Sequence, residues 1–325
     1  MKNLILSVAV ITYNQEKYIT QALDSILEQE HNYSYEIVIG DDCSTDETRD
    51  ILLKYKEKYP SIIKLLLNDS NVGLIKNYFN TLSHCSGNYI MQCAGDDFWL
   101  PGKICYQISF MESNPNVGMC YGKIQYLYDS ENRLGEIAGS NTTTLSELLV
   151  KNDISAQTVC MRNIYIKKYI EEIDPLSKGW YCEDYPLWLW ISYKSKIHFM
   201  DDLFAVYRLR QKSTSRPSDY EKIISMYENI ISIRKYFLKY SDKKLFVNDL
   251  ISIIESLIWN KNIIPTKREY NFITKILFDN FEYIKYPLYK ILTYKNYFVF
   301  CVVFYIKKIV GIIVNYFSVY FIIDI

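Results

Sequence analysis

Three short acidic clusters contain the residues best suited to chemistry. They are residues 40–46, which read Gly-Asp-Asp-Cys-Ser-Thr-Asp, the pair Asp96-Asp97, and the pair Glu183-Asp184. A carboxylate at a sheet edge can accept a base N–H or a ribose hydroxyl. Adjacent carboxylates repel each other unless a cation lies beside them, and a hard divalent cation also neutralises a diphosphate. The clusters are therefore consistent with a metal-assisted nucleotide diphosphate site.

Each cluster also has a purely structural explanation. Asp42 and Ser44 can end a strand and cap the following helix. An Asp-Asp pair is commonly two solvated turn acids. The third cluster precedes an aromatic helical segment, residues 187–193, and carboxylates are favoured at helix N-termini. The choice between chemistry and structure depends on the elements that position the clusters.

Those elements are predicted to form an α/β domain. Between residues 4 and 128, short apolar runs alternate with segments of helical period, a pattern typical of a parallel sheet flanked by helices. Ser44 and Glu47 have the capping-box spacing, which predicts a helix start there. The first two clusters follow predicted strands, and open α/β sheets bind ligands at the carboxyl edge. The sheet domain is expected to end near residue 210, before long helical segments over 219–281.

Charge and cysteine content exclude some classes of function. The chain has 37 basic and 37 acidic residues, so it lacks the positive field of a nonspecific nucleic-acid binder, and nucleic acid is not an expected partner. Its 49% hydrophobic content is enough for a folded core. The eight cysteines form no C-x-x-C pair, which favours reduced thiols in a cytoplasmic protein.

The C-terminal segment, residues 284–325, has a composition of its own. Residues 284–323 contain five Lys but no Asp or Glu, and the apolar stretches 297–306 and 309–323 are shorter than the ~20 residues of a spanning helix. The segment is expected to lie on an anionic inner membrane leaflet, with its ammonium groups at the headgroups. The alternative is that it packs as buried helices on the main domain or on a second subunit.

Residues 8–14, Val-Ala-Val-Ile-Thr-Tyr-Asn, complete a pattern with the acidic clusters. In order and spacing they resemble family 2 glycosyltransferases over about the first 215 residues. The resemblance implies a GT-A fold, which is Rossmann-like, with a mostly parallel central sheet flanked by helices. It divides the chain into a GT-A domain (1–215), a C-terminal helical extension (216–283) and the apolar segment 284–325.

The resemblance also implies roles for single residues. Thr12 and Tyr13 are expected to flank the base of a nucleotide-sugar, and Asp42 to read the edge of uracil or thymine. Asp96 and Asp97 match the D-x-D-type motif, with Asp97 as the direct ligand of Mg²⁺ or Mn²⁺.

In the third cluster, Asp184 is expected to be the general base on the acceptor hydroxyl, with Glu183 binding or orienting the acceptor. An inverting displacement needs such a base opposite the leaving diphosphate, and the third cluster matches that family position.

Two further segments resemble family motifs. Residues 206–215 resemble the segment that closes over the diphosphate, with Arg210 where His is frequent. A guanidinium binds phosphate oxygens bidentately but does not ligate a metal, so Arg208 and Arg210 are expected to bind the diphosphate unless they lie in a solvated basic loop. Asn71 and Gly73 resemble an N-x-G turn near the nucleotide, where Gly73 suits a positive φ, although a plain turn explains both.

Aromatic residues flank two of the acidic clusters. Such rings can stack on sugar rings or pack in the core, and core packing is expected for at least two of them. They are Phe98, Trp99, Trp180 and Tyr181.

The functional hypothesis is an inverting glycosyltransferase. It would move a sugar from a nucleotide-diphospho-sugar, with a UDP-sugar favoured, to a glycan or lipid-linked acceptor in cell-surface polysaccharide synthesis at the cytoplasmic face of the membrane. One alternative is a sugar nucleotidyltransferase, which residues 12–16 disfavour because they lack glycine and positive charge. The other is a catalytically inactive carbohydrate-binding or membrane scaffold protein.

Overall fold

The computed structural model describes residues 5–210 and 220–240, which form an α/β structure. Its strands are β1 (Leu6–Thr12), β2 (Tyr35–Asp41), β3 (Ile63–Leu67), β4 (Tyr89–Ala94), β5 (Phe98–Trp99), β6 (Val117–Tyr128), β7 (Arg133–Ala138), β8 (Cys160–Arg162) and β9 (Lys196–Leu209). Its α-helices are α1 (Ile19–Leu27), α2 (Thr48–Lys58), α3 (Leu74–Ser83), α4 (Lys103–Ser113), α5 (Leu145–Val150), α6 (Asn163–Ile173), α7 (Tyr185–Lys194) and α8 (Tyr220–Phe237). Short 3-10 turns cover Ala156–Thr158, Pro175–Ser177 and Leu238–Tyr240.

The strands form one mixed sheet in the order β3-β2-β1-β4-β8-β6-β9-β5, with β7 also paired to β6. β1 lies between β2 and β4 and is parallel to both, and β2 is parallel to β3. The parallel part matches the repeated strand–helix pattern of the first half of the sequence. Beyond β4 the sheet continues through antiparallel pairs, β4 with β8 and β8 with β6, before the long parallel pair of β6 and β9.

The core of the parallel part is built from apolar residues that the strand and helix periods place on buried faces. Leu6, Val8 and Val10 of β1 are all fully buried. Ile19, Leu23 and Ile26 of α1 are fully buried as well, so the helical stripe read from the sequence faces the sheet. This packing fixes the positions of the carboxyl ends of the strands, and the acidic residues directly follow two of these ends.

One sequence expectation about a helix start is wrong. α2 begins at Thr48, with Glu47 as its N-cap residue and no side-chain cap. Ser44 instead donates its hydroxyl to Asp41 and accepts a hydrogen bond from the Asn14 N–H at 2.9 Å. A complete capping box occurs elsewhere, at Thr144 and Glu147 before α5. Ser44, in the loop after β2, therefore stabilises the ends of the neighbouring strands rather than the start of α2.

Only α8 of the predicted C-terminal elements falls within the described residues, and it lies at the start of the predicted extension 216–283. Residues 241–283 and the segment 284–325 lie outside them. Among the helices of residues 5–210 and 220–240, none combines the length and apolar character that a membrane crossing requires. The cysteines of these ranges are all free thiols.

Gly40 allows β2 and α3 to approach closely, and substituting it tests this packing. A Cβ at Gly40 would overlap Thr81 Oγ1 and lie 2.8 Å from Asn77 Oδ1, and both side chains are buried. We expect Gly40→Ala to lower the free energy of unfolding by about 1–3 kcal/mol, as overpacking does. Denaturant unfolding measures the change.

Gly135→Ala is the matched control, because the three atoms nearest to its added methyl all belong to the ring of the partly exposed Tyr128, which can move. Equal losses in the two variants would contradict the close approach of β2 and α3.

Candidate functional site: an acidic edge of the sheet

The carboxyl ends of β1, β2 and β4 bring two of the three acidic clusters together. Thr12 lies opposite Asp41 in the parallel register, and Ile11 lies opposite Ala94. Just beyond the strands, the Asp42 N–H donates to the Thr12 carbonyl at 3.0 Å, and the Gly95 N–H donates to the Ile11 carbonyl at 3.0 Å. Asp42 and the Asp96-Asp97 pair therefore lie on either side of the end of β1.

The two acids at the end of β2 have different partners. Asp41 is fully buried and forms an ion pair with Arg49 of α2, Nε to Oδ2 at 2.6 Å. Asp42 is also buried, but its carboxylate accepts the N–H groups of Val72 at 2.8 Å and Gly73 at 3.0 Å. Asp41 thus holds α2 on the sheet, and Asp42 organises the turn before α3.

That turn has the backbone geometry expected of Gly73, whose φ is +87°. A Cβ at this position would meet no atom within 4 Å, so conformation rather than space favours glycine here. Asn71 is exposed at the surface of the same turn. Asn68, at its start, donates its side-chain amide to Asp42 at 3.3 Å.

Thr12 and Tyr13, the predicted base-flanking residues, differ in exposure. Thr12 is buried, and its hydroxyl has no hydrogen-bond partner among the described residues. The same is true of Gln15 Oε1. Both oxygens border the space beside Gly95, where an added Cβ would lie 2.9 Å from Thr12 Oγ1. Tyr13 is 46% exposed. The end of β1 therefore presents two unsatisfied polar oxygens beside the Asp96-Asp97 pair.

Asp97 is the more deeply buried member of the second cluster, with 2% of its surface exposed. Its Oδ1 accepts the Arg208 N–H at 2.8 Å, and its Oδ2 accepts the side-chain amide of Gln157. Burial raises the pKa of Asp97 well above its usual value, and the charge of Asp96 raises this pKa further. Positive charge brought to this point is therefore strongly favoured.

Asp96 already has one cationic partner, because Arg210 Nη2 lies 2.7 Å from Asp96 Oδ2. Burial raises the pKa of Asp96, and the Arg210 charge opposes that shift. The buried carboxylate of Asp97, the partly buried carboxylate of Asp96 and the unsatisfied oxygens of Thr12 and Gln15 supply the hard oxygen atoms that a divalent cation prefers. The residues present thus fit such a cation.

Arg208 has a different role from Arg210, because its side chain is only 8% exposed. Its Nε donates to the Asp96 carbonyl at 2.9 Å, its Nη1 to Asp129 at 3.0 Å and its Nη2 to Gln21 at 2.5 Å. The guanidinium also lies 4.7 Å from the centre of the Tyr18 ring. These contacts fix the end of β9 against the acidic pair, so Arg208 is better placed to position Asp97 than to bind a phosphate.

The sequence analysis missed several of these partners. Asp129 follows β6, Gln157 lies in a 3-10 turn, and Tyr18 precedes α1, where its hydroxyl donates to Asp129 at 2.7 Å. None belongs to a short motif, and their distance along the chain from Asp97 hides their proximity to the site. The available signal was weak: Asp129 stands immediately after a predicted strand, as the other site acids do.

The third cluster, Glu183-Asp184, lies at the start of α7. Asp184 is the N-cap residue, and its Oδ1 accepts the Tyr185 N–H at 2.5 Å and the Cys182 thiol at 3.0 Å. Burial raises the pKa of both acids, and that of Glu183 rises to about 8 because Asp184 adds its charge. The helix-capping explanation and a chemical role are therefore compatible, because capping occupies only one oxygen.

Tyr78 relates the third cluster to the sheet edge. This buried residue belongs to α3, which starts directly after Gly73, and its hydroxyl accepts the side-chain amide of Gln92 in β4 at 2.6 Å. Burial raises the pKa of Tyr78 well above its usual value, with further contributions from the charges of Asp184 and Glu183. The third cluster is thus within electrostatic reach of a side chain bonded to β4.

Among the described residues, the group of three side chains that could hold a metal ion does not include the Asp pair. In the described ranges, the group with ligand atoms within 4.8 Å is Cys182, Glu183 and Asp184. Burial raises the pKa of the Cys182 thiol well above its usual value, so the thiol stays protonated and acts as a hydrogen-bond donor.

Two aromatic residues near the clusters, Trp99 and Trp180, are buried as expected for core packing.

Comparison with known proteins gives a family model that matches this architecture. The model, described as glycosyl transferase family 2, matches residues 7–173. An uncharacterized protein of Mycobacterium tuberculosis is 30% identical over 161 residues, which cover 48% of this chain and 46% of that protein. The chain thus spans about half the length of such curated relatives.

Two further similarities extend over more of the chain. An Escherichia coli protein named UDP-Glc:alpha-D-GlcNAc-diphosphoundecaprenol beta-1,3-glucosyltransferase is 29% identical over 218 residues, covering 66% of this chain and 81% of that protein. The crystal structure of S. aureus TarS 1-349 in complex with UDP-GlcNAc superposes with a TM-score of 0.69 at 18% identity, covering 94% of this chain and 91% of that one. The fold predicted from the sequence, GT-A, is confirmed.

The bond from Cys182 to Asp184 makes a prediction about ionisation. Because a donated hydrogen bond stabilises the carboxylate, removing it in Cys182→Ala should raise the pKa of Asp184 above its already raised value. Cys182→Ser keeps a donor and should leave the pKa close to that of the unmodified chain. Carbon-13 NMR of labelled aspartate carboxyl groups, assigned with Asp184→Asn, measures the titration.

Cys105→Ala is the matched control, since the Cys105 thiol donates to the Glu30 carbonyl at the same 3.0 Å, in another part of the structure. An unchanged Asp184 titration in Cys182→Ala would show that the thiol does not support this carboxylate.

Proposed function

The chain belongs to glycosyl transferase family 2, and on this premise we propose that it is an inverting glycosyltransferase. It would move a sugar from a nucleotide-diphospho-sugar to a hydroxyl of a glycan or lipid-linked acceptor in cell-surface polysaccharide synthesis. The observation that carries the proposal is the meeting of Asp42 and the Asp96-Asp97 pair at one sheet edge, with Glu183-Asp184 in electrostatic reach of Tyr78 beside β4.

For the donor we propose a UDP-sugar. Asp42, Thr12 and Tyr13 lie at adjoining strand ends, and the half-exposed Tyr13 is available to a nucleoside. Asp42 is held by two backbone N–H groups, which keep its carboxylate in a fixed orientation. The choice of uridine is supported by the E. coli relative named for UDP-Glc and by the TarS complex with UDP-GlcNAc.

For the diphosphate we propose Arg210, Asp96 and Asp97, with Mg²⁺ or Mn²⁺ as cofactor. Asp96 and Asp97 would hold the cation, which when bound neutralises the diphosphate and stabilises it as a leaving group. Arg210 is 28% exposed, so its guanidinium can also reach phosphate oxygens directly. Arg208 and Gln157 keep Asp97 in place through its two oxygens.

For the transfer step we propose Asp184 as the general base. Asp184 takes the proton of the acceptor hydroxyl, the acceptor oxygen forms a bond to the anomeric carbon, and the bond to the diphosphate breaks with its electron pair leaving on the nucleotide. Because Tyr185 and Cys182 donate to Oδ1, the base atom is Oδ2. Burial and the charge of Asp184 raise the pKa of Glu183, which favours its protonated form, and in that form it can donate a hydrogen bond to the acceptor.

We also propose peripheral contact with the cytoplasmic leaflet through residues 284–325. This rests on sequence alone: five Lys and no acidic residue over 284–323, with two apolar stretches between them. Such contact would bring a lipid-linked acceptor to the base. It carries no weight in the assignment of the chemistry.

Donor and metal preference are tested together by binding. A ligand that binds only the native state raises the melting temperature by mass action. We expect UDP and UDP-sugars to raise it more than GDP, dTDP or CMP counterparts, and Mg²⁺ or Mn²⁺ to increase the shift. Asp97→Ala should remove the metal-dependent part. If only GDP raised the melting temperature, the base assignment would change from uridine to guanosine. If a chelator left the UDP-induced increase unaffected, the divalent cation would be removed from the proposal.

The role of the base is tested by Asp184→Asn. The amide keeps the hydrogen-bond acceptor oxygen for the helix cap but cannot take a proton, so we expect transfer to fall by at least ~10³-fold while UDP affinity stays within a few-fold. Single-turnover transfer assays and calorimetric titration with UDP measure the two quantities.

Asp202→Asn, an exposed acid in β9, is the control and should leave both quantities unchanged. Transfer by Asp184→Asn at a rate near that of the unmodified chain would remove Asp184 from the mechanism.

A further inference from the structure

Helix α8 forms hydrogen bonds to residues on both sides of Glu183 and Asp184. We infer that Asn229 and Arg234 of this helix are positioning residues for the general base, an inference that rests on the proposed role of Asp184. The two side chains bond the chain on either side of the acidic pair. Both α8 and the acidic pair lie beyond residues 7–173, to which the family model extends.

On the N-terminal side of the pair, Asn229 bridges two residues of the loop. Its Oδ1 accepts the Tyr181 N–H at 2.9 Å, and its Nδ2 donates to the Gly179 carbonyl at 3.4 Å. One side-chain amide thus satisfies a donor and an acceptor two residues apart, as a neighbouring strand would. The bridge ends two residues before Glu183.

The loop needs such support because it has little regular structure of its own. Residues 178–184 lie between a 3-10 turn and α7, outside helices and strands. Gly179 has a φ of +67°, which glycine adopts more readily than other residues. A loop of this kind keeps one conformation only when neighbouring elements fix it.

On the C-terminal side, Arg234 fixes the first residue of α7. Its Nε donates to the Tyr185 hydroxyl at 2.8 Å, and its Nη2 donates to the Val150 carbonyl at 3.2 Å. The Tyr185 hydroxyl in turn donates to the Leu148 carbonyl at 2.7 Å. Because Tyr185 directly follows Asp184, this network sets where α7, and with it the carboxylate, begins.

An apolar contact completes the attachment. Trp180, 5% exposed, packs edge-on against Tyr236 with ring centres 5.3 Å apart and lies 6.1 Å from the Phe237 ring. The contacts from Asn229, Arg234 and the aromatic pair occur along more than two turns of α8. They meet the chain between Gly179 in the loop and Tyr185 at the start of α7. A shift of α8 would therefore move the base relative to the sheet edge, where the other acids are fixed by β1, β2 and β4.

Misplacement of a catalytic group by about 1 Å can lower a rate by on the order of 10²-fold. We expect Asn229→Leu, which removes both hydrogen bonds and keeps the branched skeleton of four heavy atoms, to lower kcat by ~10–100-fold. UDP affinity should change by less than ~3-fold, because the donor site is built from other elements. Hydrogen exchange at the Tyr181 amide should speed up by at least ~10-fold, as its acceptor is lost.

Two further variants separate positioning from folding. Asn229→Asp keeps Oδ1 as the acceptor for Tyr181 and should restore slow exchange and most of kcat, with rates compared on the high-pH plateau because an added carboxylate raises the pKa of nearby acids. Ser232→Ala, an exposed site on the same helix, should behave as the unmodified chain. Arg234→Met should lower kcat in the same way, with UDP affinity unchanged.

The measurements are exchange by mass spectrometry and steady-state transfer on the full chain. Unchanged exchange at Tyr181, or an unchanged kcat in Asn229→Leu when the unmodified chain is active, would overturn the inference. Loss of UDP binding together with kcat, not rescued by Asn229→Asp, would also overturn it, because it would indicate general unfolding. If no donor is transferred by the unmodified chain but exchange responds as expected, the proposed function fails while the anchoring of the loop by α8 stands.

Discussion

The burial of the Asp97 carboxylate is the constraint on which the site depends. A carboxylate removed from water is stable only when hydrogen-bond donors or positive charge surround it. Here the donors come from two distant parts of the chain, the Arg208 backbone at the end of β9 and the Gln157 side chain in a 3-10 turn. The need to satisfy this one anion therefore fixes the far half of the sheet against the parallel half.

The same requirement explains the arginines. The Arg208 side chain donates hydrogen bonds to Asp96, Asp129 and Gln21, and its backbone N–H donates to Asp97. Its charge therefore stabilises the fold around the acidic pair. Arg210 lies two residues further on, and side chains at this spacing on an extended strand lie on the same face. Its one ion-pair partner among the described residues is Asp96. One arginine thus holds the acidic pair in place, and the other leaves part of its surface open to a substrate anion. The sequence alone treats the two as equivalent.

Local patterns explain why the first half of the fold was predictable from the sequence. β1, β2 and β4 are largely apolar runs, acids follow β2 and β4, and α1 has a buried apolar stripe, so the positions of Asp42 and of the Asp pair followed directly. The antiparallel pairs of β8 depend on contacts between residues about 40 to 70 positions apart, and no local pattern encodes them. Gln157 and Asp129 reach the site through such pairings, and they were accordingly missed.

The capping-box error has a similar cause. Ser44 has the right neighbour three residues on, but Asp41 and the Asn14 backbone compete for its hydroxyl, and the tertiary partners win. At Thr144 no such competitor is present among the described contacts, and the same spacing gives a complete box. A capping motif next to a functional edge is thus less informative than one on an ordinary helix.

In the proposed mechanism, capping and catalysis use different atoms of the Asp184 carboxylate. A helix N-terminus stabilises negative charge, which lowers a carboxyl pKa, whereas burial raises it. The pKa of Asp184 is raised on balance, so its ionised form is a stronger proton acceptor than an exposed aspartate, while the bonds to Oδ1 still hold its orientation. A helix start is suited to a general base for this reason: it fixes one oxygen without neutralising the other. The position of that oxygen then depends on where the helix begins, and in this chain α8 contacts the residues on both sides of that point.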